Sequence, residues 1–262
     1  MLSLTGPPIQ SDGGRNMDSN KFLDAKNHLC LPLDVATGTE ALAIVDELKD
    51  YVGVFKVGLQ LYTAEGPSIV REIRSKGCKV FLDLKFHDIP NTVAHAVKEA
   101  AKLDVSYLTI HLSGGLEMIK AAVNARGDIS SQSHLMILGV TVLTSISSEQ
   151  LHNELHVMQE MSAQVRSLIE LGVKNGIKGI VCSPQELSHL KKDFPLLYFV
   201  TPGIRPLWSE KNDQQRIAIP ESAIRDGASL LVIGRPILNA PDRVDAAQKV
   251  LEEIMHAQTK NI

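Results

Sequence analysis

From Leu29 onward, short apolar runs alternate with longer stretches of helical periodicity, the pattern of repeated βα units feeding a parallel sheet. The apolar runs predict strands over Leu29–Leu33, Val52–Val57, Lys79–Leu84, Val105–Ile110, Leu135–Thr141, Gly179–Cys182, Leu197–Thr201 and Leu230–Ile233. Between them, apolar positions at helical spacing predict helices that include Thr39–Asp50, Ala64–Lys76, Thr92–Lys102, Gly115–Asn124, Ala163–Asn175 and Asp242–His256, with Thr39 and Asp242 as caps. Eight βα units without a Pro/Gly/Ser-rich internal linker predict an α/β protein, a single-domain (β/α)8 TIM barrel spanning residues 21–262. An open doubly wound sheet is the alternative, and the glycine fingerprint of its dinucleotide-binding form is absent. Residues 1–20, rich in Gly, Pro, Ser and Asp, read as a flexible N-terminal extension.

Composition narrows the function classes. At 262 residues and 44% hydrophobic side chains, the chain can bury a large core. A net charge of -3 leaves no broad basic surface for nucleic acid, although a small anionic ligand needs only a local basic pocket. No apolar run is long enough to span a bilayer. Cys30, Cys78 and Cys182 are odd in number, widely spaced and set in apolar runs, which suits buried thiols in a reducing compartment. A cytoplasmic protein is expected.

In a barrel of this kind chemistry sits where strands end, and the strand ends here are polar. They carry Asp34, Lys56, Asp83 with Lys85, His111, Thr144 with Ser145, and Arg235. Asp83 and Lys85 are two residues apart and so share the interior side of their strand, leaving Leu82 and Leu84 to face helices. Charges gathered in a concave site must be paired, and an alternating Lys/Asp array meets that condition. Loops after strands seven and eight of such barrels often bind phosphate. Gly234 permits close backbone approach there, and Arg235 offers bidentate donors. The long polar segment from Pro202 to Ile219 reads as a lid.

The stretch Asp83-Leu84-Lys85-Phe86-His87-Asp88-Ile89-Pro90-Asn91-Thr92 resembles the D-x-K-x-x-D-I-P-N-T signature of the orotidine 5′-monophosphate decarboxylase family. The resemblance extends, in order, through Leu33-Asp34, Phe55-Lys56-Val57-Gly58, Val142-Leu143-Thr144-Ser145, Thr201-Pro202-Gly203-Ile204-Arg205-Pro206, Asp213-Gln214 and Val232-Ile233-Gly234-Arg235-Pro236. It implies that Lys56, Asp83, Lys85 and Asp88 form a charged catalytic array, with Asp88 and Thr92 reaching into the neighbouring subunit of a homodimer. It further implies that Asp34 and Lys56 bind ribose hydroxyls, that Thr144 or Ser145 addresses the pyrimidine, and that Arg205, Gln214, Gly234 and Arg235 hold the phosphate. Leu207-Trp208 departs from the polar or glycine pair of the family pattern.

The reaction implied converts orotidine 5′-monophosphate to uridine 5′-monophosphate (UMP) and carbon dioxide, within pyrimidine biosynthesis. Electrons left on a ring carbon without a neighbouring carbonyl need positive charge and then a proton, both of which Lys85 can supply. A divalent metal at Asp83 and Asp88 would be repelled by Lys56 and Lys85, so no cofactor or metal is expected. Related magnesium-dependent sugar-phosphate barrels are the enzymatic rival, and they are expected to carry a glutamate at the position of Lys56. A non-catalytic nucleotide-binding barrel is the rival from another class, and it would have little need of Lys85 or the carboxylates. His87 and His111 are expected to act as hydrogen-bonding neighbours of the site.

Overall fold

Each strand places alternate side chains inside a barrel and against an outer ring of helices, which is the burial that its sequence can support on both faces. The computed structural model describes residues 19–127, 134–209 and 218–259. Its strands are β1 (Leu29–Pro32), β2 (Val54–Gly58), β3 (Lys79–Phe86), β4 (Tyr107–His111), β5 (Met136–Val140), β6 (Gly179–Val181), β7 (Tyr198–Pro202) and β8 (Leu230–Val232). They pair in parallel in chain order and close, β8 returning to β1, as the eight predicted runs required.

The helices are α1 (Ser19–Asn27), α2 (Gly38–Leu48), α3 (Leu59–Glu65), α4 (Pro67–Ser75), α5 (Pro90–Lys102), α6 (Gly115–Gly127), α7 (Ser148–Asn153), α8 (Met161–Lys174), α9 (Pro184–Asp193), α10 (Pro220–Arg225), α11 (Arg235–Leu238) and α12 (Arg243–Thr259). Two of the sequence expectations change, and a third falls almost wholly outside the described residues. The helix predicted over Ala64–Lys76 is two helices, because Gly66 adopts a left-handed φ of 63° and Pro67 brings no N–H to continue α3. The cap of α2 is Thr37, not Thr39: its hydroxyl accepts from the Glu40 N–H, while the Glu65 carboxylate takes the Gly38 N–H at 2.6 Å and lets the helix start early. The expected extension lies outside the described residues except for Ser19 and Asn20, which open α1.

Asp242 caps α12 as expected, accepting from the Asp245 N–H at 2.9 Å. Two apolar cores result. The larger lies between sheet and helices and includes Phe55, Leu82, Leu108, Ile110 and Leu231. The smaller fills the barrel with Cys30, Val54, Phe81, Leu138, Val200 and Leu230, ringed by Tyr107 and Tyr198. The last two stack, with their hydroxyls 3.0 Å apart. All three cysteines are buried free thiols. Among the described residues, no helix is long and apolar enough to cross a membrane.

Candidate active site

The interior core fixes what lies above it. Two residues after Val54, Phe81 and Tyr107 on the same strand faces come Lys56, Asp83 and Thr109, so period-two geometry lifts a polar layer directly onto the apolar floor. This layer opens into a cavity of about 380 Å³ at the C-terminal end of the strands, lined by Asp34, Lys56, Asp83, Lys85, Thr144, Arg205, Gly234 and Arg235 among others.

Inside it, Lys56 Nζ lies 3.6 Å from Asp83 Oδ2 and 3.4 Å from Asp34 Oδ1, and Lys85 Nζ donates to Asp83 Oδ1 at 2.8 Å. The four charges alternate along one chain of contacts. Asp83 is 14% exposed and Lys56 12%, so neither charge could stay there unpaired. Burial works to raise the Asp83 pKa, but Lys56, Lys85 and hydrogen bonds from Lys85 and Thr109 outweigh it and hold the carboxyl below its ordinary value. Gly58 keeps this space open, since a Cβ there would stand 3.1 Å from Lys56 Nζ.

The end of β3 is irregular. Leu82 pairs with Leu108 and Phe86 with Ile110, so three residues of β3 stand against the single Thr109 of β4. Lys85 absorbs the bulge with a φ of 50°, a conformation that costs a non-glycine residue on the order of 1–2 kcal/mol. The Thr109 hydroxyl compensates by accepting the Lys85 backbone N–H at 2.9 Å and donating to Asp83 Oδ1 at 3.0 Å. Thr109 was not among the sequence candidates. Its signal is a polar residue at an interior position between Leu108 and Ile110, level with Asp83.

On the wall of the same cavity, the Arg205 pKa is lowered by burial and by the nearby Arg235 cation. An anion placed beside both guanidiniums would relieve that repulsion. Gly234 sits against β1 so closely that a Cβ would come within 2.7 Å of Pro32, leaving its backbone bare toward the cavity. The loop that follows β7 is pinned at its base by the Arg205 N–H bonding to the Ala218 carbonyl at 3.0 Å. Trp208, the departure from the family pattern, rests on α12 with the Lys249 ammonium 5.9 Å from its ring centroid and Glu253 alongside. The anchor therefore lies outside the pocket. Gln214 and Asp213, and with them residues 210–217 of the expected lid, lie outside the described residues.

Not every candidate reaches this cavity. Ser145, exposed, does not line it, whereas Thr144 does. Asp88 and Thr92 are exposed and also absent from its walls, and Asp88 Oδ1 accepts the Ile89 N–H at 2.6 Å. The expected hydrogen-bonding role of His87 and His111 takes another form, since their rings lie against each other with centroids 5.2 Å apart. Burial, then His87 and Lys85, hold the His111 pKa below its ordinary value despite Asp83. Among the described residues, no group of three or more His, Cys, Asp or Glu side chains is placed to hold a metal ion.

A parallel (β/α)8 barrel whose mouth holds a Lys/Asp array and two neighbouring arginines in one cavity belongs to the class of barrel enzymes that act on phosphorylated substrates. Comparison with known proteins specifies the family. Residues 27–250 match the Orotidine 5'-phosphate decarboxylase / HUMPS family, and the chain belongs to it. It is 44% identical over 237 residues to the orotidine 5'-phosphate decarboxylase of Syntrophomonas wolfei, covering 88% of this chain and 99% of that protein. With the enzyme of the same name from Opitutus terrae, identity is 46% over 227 residues, covering 86% and 97% respectively. The crystal structure of orotidine 5'-phosphate decarboxylase from Lactobacillus acidophilus superposes with a TM-score of 0.79 at 35% identity, covering 87% of this chain and 99% of that one.

Proposed function

We propose that this protein decarboxylates orotidine 5′-monophosphate to UMP in pyrimidine biosynthesis, as a cofactor-independent carboxy-lyase whose single catalytic domain is the barrel. The observation that carries this reading is the alternating array Asp34–Lys56–Asp83–Lys85, set in the same cavity as Arg205 and Arg235.

The nucleotide spans that cavity. Arg205, Arg235 and the Gly234 backbone take the phosphate, with Gln214 assigned to the same end by the family pattern; Asp34 and Lys56 take ribose hydroxyls, and Thr144 addresses the pyrimidine. This orientation puts the departing carboxylate beside Asp83. Repulsion between two such charges about 4 Å apart is about 4 kcal/mol at an effective dielectric of about 20. Enzymatic accelerations draw on roughly 8 to 23 kcal/mol, so relief of repulsion is only part of the effect. The larger share falls to Lys85, whose ammonium stabilises the carbanion as the C6–carboxylate bond breaks and then gives it a proton, and to binding energy at the remote phosphate. Asp83 keeps that ammonium aimed, held at 2.8 Å.

The active unit is a homodimer in a cytoplasmic setting. Asp88 and Thr92 are exposed beside Ile89, itself 66% exposed, so this segment is available to complete a neighbouring site. The test is loss of the orotate chromophore with purified protein, with and without chelator. Turnover that chelator leaves unchanged supports the reading. Activity abolished by chelator and restored by magnesium would instead favour a metal-dependent barrel enzyme.

A further inference from the structure

The strongest unassigned feature lies beneath the array. Thr109 is fully buried, in the barrel interior two residues above Tyr107, and level with Leu138 of β5. A hydroxyl there needs partners, because an unsatisfied buried polar group is destabilising. Both of its partners belong to the charged array.

The direction of these bonds is forced. The Lys85 backbone N–H can only donate, so the Thr109 oxygen accepts from it at 2.9 Å. Its one proton is then committed to Asp83 Oδ1, 3.0 Å away, since an ionised carboxylate can only accept. The same Oδ1 receives Lys85 Nζ at 2.8 Å, while Oδ2 faces Lys56 at 3.6 Å. One side chain therefore ties both the carboxylate orientation and the bulged backbone that carries Lys85. It also supplies the acceptor that a regular strand pairing would have given at the bulge.

We propose that Thr109 is a positioning residue for the decarboxylation, fixing Asp83 and the backbone of Lys85 so that the lysine ammonium is held against the carboxylate and delivered to one point above the floor. The inference rests on the proposed function, and it adds a residue on β4 that touches no substrate. Thr109→Val keeps the shape and removes both bonds. Loss of hydrogen bonding to a charged group should reduce kcat on the order of 10- to 100-fold. KM should change by less than about threefold, since the phosphate and ribose contacts stand on other strands. Thr109→Ser restores the hydroxyl and should recover most of the rate. Asp83 loses a donor in the valine variant, so the acidic limb of its kcat profile should move to higher pH, a displacement that serine reverses.

The experiment is steady-state kinetics on orotidine 5′-monophosphate from acid to neutral pH for wild type, Thr109→Val, Thr109→Ser and Thr109→Ala, with thermal melts and UMP binding measured on each. Serine rescue with UMP affinity preserved supports the proposal. Valine turnover within about threefold of wild type overturns it, as does a rate loss matched by loss of UMP binding, which would mark a structural role. If valine does not fold, serine and alanine decide: equal rates overturn the inference, and a deficit confined to alanine supports it. An inactive wild type would instead overturn the decarboxylase reading.

Discussion

Replacing Lys56 by methionine removes one ammonium from the array while keeping its length and apolar stem. The structure sets the magnitude. At 3.6 Å the Lys56–Asp83 attraction is about 4–5 kcal/mol at an effective dielectric of about 20. The partner Asp34 is 61% exposed, so that second pair falls in the range of about 0–1 kcal/mol typical of solvated ion pairs. Methionine is spared the desolvation penalty that the half-buried ammonium bears, which offsets about half of the first figure in the net stability. Asp83 is not stranded, because Lys85 and Thr109 still donate to it. A net loss of about 2 kcal/mol is therefore expected for Lys56→Met, and a coupling to Asp83 of at least about that size, since each side chain's own desolvation cancels in a double-mutant cycle. The assay is urea unfolding at pH 7 of wild type, Lys56→Met, Asp83→Asn and the double variant. An interaction energy below about 0.5 kcal/mol would refute the argument that the two side chains hold one another in place.

Three further outcomes are expected. Arg235→Ala should lower kcat/KM for orotidine 5′-monophosphate on the order of 10- to 100-fold and leave the phosphate-free nucleoside unaffected, and equal losses on both substrates would remove the arginine from the phosphate end. Thr144→Val should lower kcat/KM several-fold, about 3- to 10-fold for one neutral hydrogen bond, whereas Ser145→Ala outside the cavity should stay within about twofold. The folded Asp83 pKa lies below its unfolded value, against burial and because of Lys56 and Lys85, so its contribution to stability is complete above the ordinary value of 3.8 and is lost as pH falls through the depressed one. Wild type should therefore lose its stability advantage over Asp83→Asn only in that acid window, and an advantage that already fades near neutral pH would contradict the sign of the shift.

Much of this architecture is legible in the chain because period-two and helical spacings are local. Each of the eight apolar runs became a strand, and the polar residues closing them gave Asp34, Lys56, Asp83, Lys85, Thr144 and Arg235, all on the cavity wall. What escaped depends on partners distant in sequence. The Gly66–Pro67 break is the exception, a local turn signal set between two stretches of helical spacing. The early start of α2 needs Glu65, from the other side of β2. Thr109 looks like an ordinary β-branched strand residue until the β3 bulge brings Asp83 and Lys85 onto its hydroxyl. Asp88 and Thr92 carry the family signature, yet they do not line the cavity of their own chain.

In the proposed mechanism the Lys85 ammonium both stabilises and protonates the ring carbon from which carbon dioxide leaves. The most direct measurement of this is the turnover of orotidine 5′-monophosphate by Lys85→Ala beside wild type, with UMP affinity measured on both. The expected result is a loss of kcat on the order of 1000-fold or more with UMP still bound. Near-normal turnover by the alanine variant would contradict it.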